Sequence, residues 1–235
     1  MDISGWDVSK ITNFSSMFNC CYSLRSLNVS LWDTSSGTTF ASMFSGCFHL
    51  KTLDVSNFDV SNATTLASMF SSCYSLKSIG NINNWNVSKV TTFASMFRYC
   101  HSLNQTFNLS TWNVSKVTNA SYMFAECYSL LEFTANNWNL AVCTTVESMF
   151  YMAKNLKTLT LNNWCSNSTL PKLTTNPSYF AGYCYSLENY SGPKLHLNHS
   201  FTYDYSLTYE SLIGIINNLP TVSSKTITIS GIPYG

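Results

Sequence analysis

The 235-residue chain is almost neutral and poor in charged side chains. It carries 12 Lys and Arg against 11 Asp and Glu, for a formal net charge of +1, and charged residues make up only 10% of it. Because non-specific nucleic-acid binding needs clustered basic side chains, and no basic run occurs, no nucleic-acid partner is expected. No stretch approaches the ~18 consecutive apolar residues of a membrane-spanning helix, so no membrane insertion is expected either.

The chain opens on part of a motif that recurs along most of its length. Met1–Trp6 aligns with Leu53–Phe58, which lies in the middle of a repeat. The repeats are marked by Met-Phe pairs spaced 26 or 27 residues apart, with a looser seventh copy at Tyr179-Phe180 followed by Cys184 after one extra residue. The pairs are Met17-Phe18, Met43-Phe44, Met69-Phe70, Met96-Phe97, Met123-Phe124 and Met149-Phe150. A fixed period of this length predicts a solenoid, in which each repeat buries its apolar side against its neighbours.

Each repeat changes from a helical to an extended apolar period. Within 40–47 the apolar residues fall at i, i+3, i+4 and i+7, which predicts one face of a short helix. The pattern L-x-x-L-x-V over 50–55 then predicts a strand with one buried side. The sequence therefore predicts an α/β solenoid of about seven 26–27-residue repeats, with a parallel β-sheet on one face and short helices on the other.

The tryptophans mark the turn that leaves each predicted strand. All six share one phase, with Phe58 in the single gap: Trp6, Trp32, Trp85, Trp112, Trp138 and Trp164. An Asp or Asn follows five of the tryptophans and Phe58, at Asp7, Asp33, Asp59, Asn86, Asn113 and Asn139. Their short side chains are predicted to accept hydrogen bonds from nearby backbone amides. The V-S-K-V-T runs at 87–91 and 114–118 then supply candidates for a helix start.

The C-terminal end has a different pattern, which predicts a cap. Residues 208–219 have apolar side chains on one helical face and are followed by Pro220, which stops a helix. Residues 225–229 alternate as a strand. We therefore expect two parts, a solenoid over 1–190 and a capping segment over 191–235.

The repeat resembles a known family. The run M-F-x-x-C-x-x-L-x-x-L, followed by W-[DN]-V-S, is similar to the BspA-type leucine-rich repeats of bacterial surface proteins, the DUF285 group, over about residues 1–190. The resemblance implies a right-handed solenoid that is displayed outside the cell and often used for adhesion. This chain departs from the pattern at Ala153, which replaces Cys, at Phe58, which replaces Trp, and at the inserted run near 165–178.

Neither the cysteines nor the histidines predict chemistry. Most of the nine cysteines share the core phase of the repeat, so we expect buried thiols instead of disulfides. Cys20, Cys143 and Cys165 lie off this phase, and a bridge between two of them stays open. No metal site is predicted, because no C-x-x-C occurs and the pair His196 and His199 has no further ligand at a suitable spacing. Since no nucleophile elbow, phosphate-binding glycine loop or H-E-x-x-H motif occurs, we expect no enzymatic activity and no cofactor.

Two rows of side chains are candidates for ligand binding. Alternation in the strands predicts a concave face of short polar groups: Ser26, Asn28, Thr52, Asp54, Ser78, Asn108, Thr134, Thr158 and Thr160. Such groups suit glycan hydroxyls or a polar protein surface, although β-propensity and solubility would also select them. An aromatic row follows the core cysteines: Tyr22, Phe48, Tyr74, His101, Tyr128 and Tyr185. It could stack on sugar rings or on a partner, or it could pack between repeats.

These patterns favour a non-enzymatic, surface-displayed adhesion or ligand-binding module that recognises a protein or a glycan. An extracellular, cell-surface or virion-surface location is expected, and no signal-peptide pattern occurs in this chain. Because a solenoid needs covered ends, a further domain or chain is expected over the N-terminal end. A structural virion domain, in a tail fibre or as a decoration protein, and an inert spacer are the alternatives.

Overall fold

The computed structural model describes residues 2–164 and 179–192, in which four short strands form one parallel sheet. The strands are β1 (Phe107–Asn108), β2 (Glu132–Thr134), β3 (Thr158–Thr160) and β4 (Asn189–Ser191), paired in chain order. Phe107 lies beside Phe133, and Leu159 and Tyr190 continue the same row. Residues about one repeat apart are therefore neighbours, and the predicted parallel sheet is confirmed. The predicted helix at 208–219 and strand at 225–229 lie outside the described residues.

Isolated parallel bridges extend the stack toward the N-terminal end. On the sheet side, Asp2 pairs with Asn28 and Thr52 pairs with Ser78. A second ladder, just before the Met-Phe segments, joins Asn13, Thr39, Thr65, Thr92, Asn119 and Thr145. Each repeat is thus one coil held to its neighbours at two places. A coil is named below by the residue at its cysteine position: Cys21, Cys47, Cys73, Cys100, Cys127, Ala153 or Cys184.

The prediction of short helices at the Met-Phe segments is wrong for the described ranges, which contain no helix. In the Cys47 coil, Ser42 and Gly46 have positive φ angles of 56° and 76°. The Ser45 N–H donates to the Ser42 carbonyl, three residues earlier, whereas the Gly46 N–H donates to Ser71 of the next coil. An α-helix would place each of these N–H groups on the carbonyl four residues earlier. Consecutive tight turns, bonded to the neighbouring coil, take the place of the helix.

Hydrogen bonding also corrects the alignment of the Cys184 coil. The Phe150 N–H donates to the Phe180 carbonyl, whereas the equivalent acceptor one coil earlier is Met149. Phe180 therefore occupies the methionine position and Ala181 the phenylalanine position. The predicted pair at Tyr179-Phe180 was placed one residue too early, and the cysteine follows with no extra residue.

Columns of equivalent side chains fill the core. From Met43 onward, the methionine, cysteine and leucine columns are fully buried in the described coils. The phenylalanine rings stack with centroids 5.0–5.7 Å apart through Phe18, Phe44, Phe70, Phe97, Phe124 and Phe150. Stacked aromatic rings bury a large apolar area in a defined geometry, so these columns hold the coils in register.

The tryptophans form a second buried column with a polar function. The indole Nε1 of Trp112 donates to the Ile82 carbonyl (3.0 Å), and that of Trp138 donates to the Leu109 carbonyl (2.8 Å). Each bond crosses to the preceding coil, at the residue where its strand ends. Trp6 is the exception, since it is 58% exposed. The column therefore packs the coils and also gives a second hydrogen bond to carbonyls that accept a backbone N–H within their own turn.

One side chain repairs the sheet where the ladder is interrupted. The Gln105 Oε1 accepts the Ile79 N–H (2.8 Å), and the Gln105 Nε2 donates to the Gly80 carbonyl (3.0 Å). The amide thus replaces a backbone pair between these two coils. Gly80 has a φ of 78°, and a Cβ there would collide with the Asp54 carboxylate. Glycine is required at this point of the face.

Candidate functional site

The outward side of the sheet carries the residues predicted for the concave face. Ser26, Asn28, Thr52, Asp54 and Asn108 are exposed, while Ser78, Thr134, Thr158 and Thr160 are half-buried. Their alternate neighbours form the core, as the predicted strand phase requires. The register places Asn108 beside Thr134, which in turn lies beside Thr160. These polar groups therefore lie in rows on one surface, called the sheet face below, and their binding of a ligand stays a prediction.

Part of the polar capacity of the sheet face is used locally. The Oδ1 atoms of Asn28, Asp54 and Asn108 each accept the N–H of the serine two residues later, at 3.2, 2.9 and 3.3 Å. The Ser56 hydroxyl, and then its N–H, lower the pKa of the Asp54 carboxyl, so that it stays ionised at neutral pH. The Asn28 side chain also forms a hydrogen bond with Asp2, so the groups left for a ligand are the Asn108 Nδ2 donor, the second Asp54 oxygen and the threonine hydroxyls.

The same local turn occurs at every Asx residue that follows a tryptophan or Phe58. The Oδ1 atoms of Asp7, Asp33, Asp59, Asn86, Asn113 and Asn139 each accept the N–H two residues later. The predicted hydrogen bonding of these side chains is confirmed. The recurrent Asp-x-Ser and Asn-x-Ser patterns thus have a structural cause, because a short side-chain acceptor fixes a turn where the coil leaves the strand.

The aromatic row forms a continuous stack. Ring centroids of Tyr22, Phe48, Tyr74, His101 and Tyr128 follow one another at 4.6, 4.8, 4.8 and 4.4 Å. After Tyr128 the row continues with Lys154, whose ammonium nitrogen lies 4.7 Å from the centre of the Tyr128 ring. Both faces of the interior rings are therefore covered by neighbours, and only ring edges are presented outward. This geometry favours packing between repeats over stacking on a sugar. Tyr185 occupies the next equivalent position and is partly exposed.

His101 is the one member of the aromatic row with an imidazole ring, since the others are Tyr or Phe. Its Nε2 atom is buried and has no hydrogen-bond partner within the described residues. Burial lowers the pKa of its imidazole, Glu126 opposes this shift, and Lys154 adds to it. The neutral imidazole is therefore the form that the stack accommodates.

The cysteine column is structural. The Sγ atoms of Cys73, Cys100 and Cys127 each donate to the carbonyl of a phenylalanine in the preceding coil, at 3.1 Å. Burial raises the pKa of the Cys47 thiol to about 12, so it is protonated at neutral pH. The prediction of buried thiols is confirmed for these positions. Cys20 is exposed.

No metal centre is present in the part of the chain that the structure describes, since no three His, Cys, Asp or Glu side chains are grouped there. The off-phase Cys143 is buried, and its Sγ donates to the Thr145 carbonyl (3.3 Å). Cys165, His196 and His199 lie outside the described residues. No helix long and apolar enough to span a membrane was found among the residues described.

The structure groups residues that the sequence reasoning did not single out. The Arg98 guanidinium lies 4.6 Å from the ring centre of Tyr99 and 4.7 Å from that of Tyr122. Its Nη2 donates to the Tyr99 hydroxyl (2.9 Å), while the Tyr122 hydroxyl donates to Glu147 Oε1 (3.1 Å). These four residues are called the Arg98 patch below. A comparison of the outward positions beside successive Met-Phe pairs would have found them, because serine changes there to Arg and Tyr.

The stacked parallel coils, the buried leucine columns and the repeat period define a solenoid of the leucine-rich-repeat type. A match over residues 1–81 and 54–164 places the chain in the family described as "Mycoplasma protein of unknown function, DUF285", to which it belongs. This finding confirms the family that the repeat motif resembles. No curated protein sequence matches the chain.

Three solved structures were compared with the chain. A leucine-rich repeat protein of Leptospira interrogans is 14% identical, with a TM-score of 0.33, over 84% of this chain and 53% of its own. A leucine-rich cell surface protein of Faecalibacterium prausnitzii is 18% identical, with a TM-score of 0.32, over 70% and 60%. A leucine-rich repeat protein of Bacteroides ovatus is 12% identical, with a TM-score of 0.25, over 76% and 75%. This chain thus spans little more than half the length of the first two. Scores this low do not establish a shared fold, so the assignment rests on the family match.

Proposed function

We propose that the chain is a non-enzymatic, surface-displayed adhesion module that binds a protein or glycan ligand through its sheet face. The observation that carries the proposal is the register of the outward residues. Thr52 lies beside Ser78, and Thr134 lies between Asn108 and Thr160, so that small polar groups form rows above buried neighbours. Repetition of one chemistry along a rigid scaffold suits a ligand that makes many weak contacts.

The chemistry of the sheet face points to hydroxyl and amide ligands. Serine, threonine and asparagine supply both donors and acceptors, and their short side chains lose little conformational entropy when a ligand orders them. Asp2, Asp54 and Glu132 are the acidic groups on the outward side of the sheet in the described coils, and all three are exposed. The resemblance to BspA-type repeats supports display at the cell surface, where such ligands are met.

Row replacement tests this proposal. Glycan arrays and immobilised matrix proteins would be screened with the native chain, and each binding ligand would be re-measured with Thr52→Ala, Ser78→Ala and Thr158→Ala combined. We expect the combined variant to abolish binding, because each contact is weak and the contacts act together. Asn113→Asp, which keeps its turn and lies outside the sheet face, is the control.

A single substitution should have a smaller effect. Asn108→Asp keeps the Oδ1 acceptor of the local turn, as Asp54 does naturally, but removes the amide donor. It should weaken binding a few-fold without changing stability. Unchanged affinity after the row replacement would show that the sheet face is not the binding surface.

We also propose that a further domain or chain covers the N-terminal coil. Trp6 is 58% exposed, whereas its equivalent Trp32 is 3% exposed, and Met17 and Leu24 are only partly buried. A covering partner would shield this apolar surface. Trp6 fluorescence should then shift to shorter wavelength on assembly with that partner, and an unshifted spectrum in the assembled protein would contradict the proposal.

A further inference from the structure

The tight turns around the Met-Phe pairs, called the Met-Phe corner below, do not carry the same side chains in every coil. Three positions of this corner hold Ser68, Ser71 and Ser72 in the Cys73 coil. The Cys100 coil has Arg98 and Tyr99 at the positions of Ser71 and Ser72. The Cys127 coil has Tyr122 at the position of Ser68. The change replaces small side chains with the largest ones on an otherwise repeated backbone.

The core does not require these large side chains. In the Cys47 and Cys73 coils, which carry serine and glycine at these positions, the Met, Phe and Cys side chains are already fully buried. The equivalent core residues in the Cys100 and Cys127 coils are buried to the same degree. Burial of the core therefore gives no reason for the aromatic residues.

The backbone itself disfavours them. Tyr99 and Tyr122 have φ angles of 65° and 57°, in the left-handed region that a bulky side chain rarely adopts. Gly46 occupies the position equivalent to Tyr99, with a φ of 76°, and meets no such penalty. Unfavourable local conformations persist mainly where the residue has another role.

The Arg98 patch is ordered in a way that suits a protein partner. Arg98 lies against two aromatic rings, and Tyr122 is held by Glu147. Ordered tyrosine and arginine side chains are the most enriched anchors of protein interfaces, because they supply large contact area at low entropic cost. In contrast to the sheet face, the patch offers few small hydroxyl groups.

The charge of the patch indicates which groups the partner presents. Among the described residues no carboxylate pairs with Arg98, whose guanidinium lies over two tyrosine rings. Glu147 and Glu126 instead accept hydrogen bonds from the hydroxyls of Tyr122 and Tyr128. A cation without a carboxylate partner beside an aromatic surface complements an acidic group flanked by apolar ones. We propose that the Arg98 patch is a docking surface for a protein segment that places a carboxylate against Arg98 and apolar side chains against the tyrosines.

The experiment replaces the patch with the residues that the Cys73 coil uses. Short random peptides displayed on phage would be selected on the native chain and counter-selected on Arg98→Ser/Tyr99→Ser/Tyr122→Ser. Enriched peptides should share Asp or Glu beside apolar residues. By calorimetry, they should bind the triple variant at least about tenfold more weakly, the loss typical of hot-spot side chains. Lys116→Ala, which removes an exposed cation outside the Arg98 patch and outside the sheet face, is the matched control and should bind them unchanged.

Several results would overturn the proposal. It fails if no peptide is enriched or if the enriched peptides lack acidic residues. It also fails if they bind the triple variant as tightly as the native chain, or if Lys116→Ala weakens their binding as much as the triple variant does. A midpoint of thermal unfolding lowered by more than about 5 °C in the triple variant would show that the side chains serve stability instead. A native dimer that the triple variant abolishes in sedimentation would show that the occupant is a second copy of this chain.

Discussion

The tryptophan column gives a stability prediction whose size can be worked out. Trp112 is 3% exposed, stacks between Trp85 and Trp138 at 6.4 and 6.3 Å, and donates its indole N–H to the Ile82 carbonyl. Trp112→Phe removes that hydrogen bond, worth ~1 kcal/mol. It also removes ~40 Å² of buried apolar area, worth ~1 kcal/mol. Because the Ile82 carbonyl still accepts the Trp85 N–H, it is not left unpaired. We expect a loss of about 2 kcal/mol in the free energy of unfolding.

Urea unfolding followed by circular dichroism measures this loss without depending on tryptophan fluorescence. Trp6→Phe is the matched control, since Trp6 shares the phase but is mostly exposed, and it should change stability by less than ~0.5 kcal/mol. An unchanged dependence of the unfolding free energy on urea concentration would show that both variants expose a similar surface area on unfolding. Equal losses in the two variants would refute the reasoning, because the indole hydrogen bond and the burial would then contribute nothing.

Three other predictions concern the corner, the aromatic stack and the thiols. Ser72→Gly should raise the urea midpoint, because Ser72 has the positive φ (59°) that Gly46 adopts in the preceding coil; a lowered midpoint would contradict the strain at this turn. His101→Tyr should remove part of the acid sensitivity of the fold. The native pKa of His101 lies below its usual 6.5, so the stability it contributes is complete above that pH and is lost as the pH falls toward the native pKa. The urea midpoint of the native chain should therefore fall relative to that of the variant as the pH drops below 6.5, and parallel midpoints would argue against a titrating His101. Cys20 should react rapidly with iodoacetamide in the native state, and Cys100 only after unfolding, as peptide mass mapping would show; early alkylation of Cys100 would contradict its burial.

The geometry of the candidate surfaces was only partly predictable. Strand alternation placed Thr52 and Asn108 on the outer side of the sheet, since a period of two leaves little freedom once Leu53 is buried. The sequence could not show that the side-chain oxygen of Asn108 accepts a hydrogen bond within a local turn. Nor could it show that neighbouring rings cover both faces of Tyr74. These facts depend on the distance between coils.

The period by itself determined the stack of coils, the columns of Trp, Phe, Cys and Leu, and the parallel sheet. Apolar residues that recur every 26 or 27 positions can be buried together only if the coils lie on one another in register. The local backbone path was decided by the tertiary structure. The spacing i, i+3, i+4, i+7 at 40–47 is equally satisfied by a helix and by consecutive tight turns. The neighbouring coil selects the turns, because its carbonyls accept alternate N–H groups that a helix would have kept within itself.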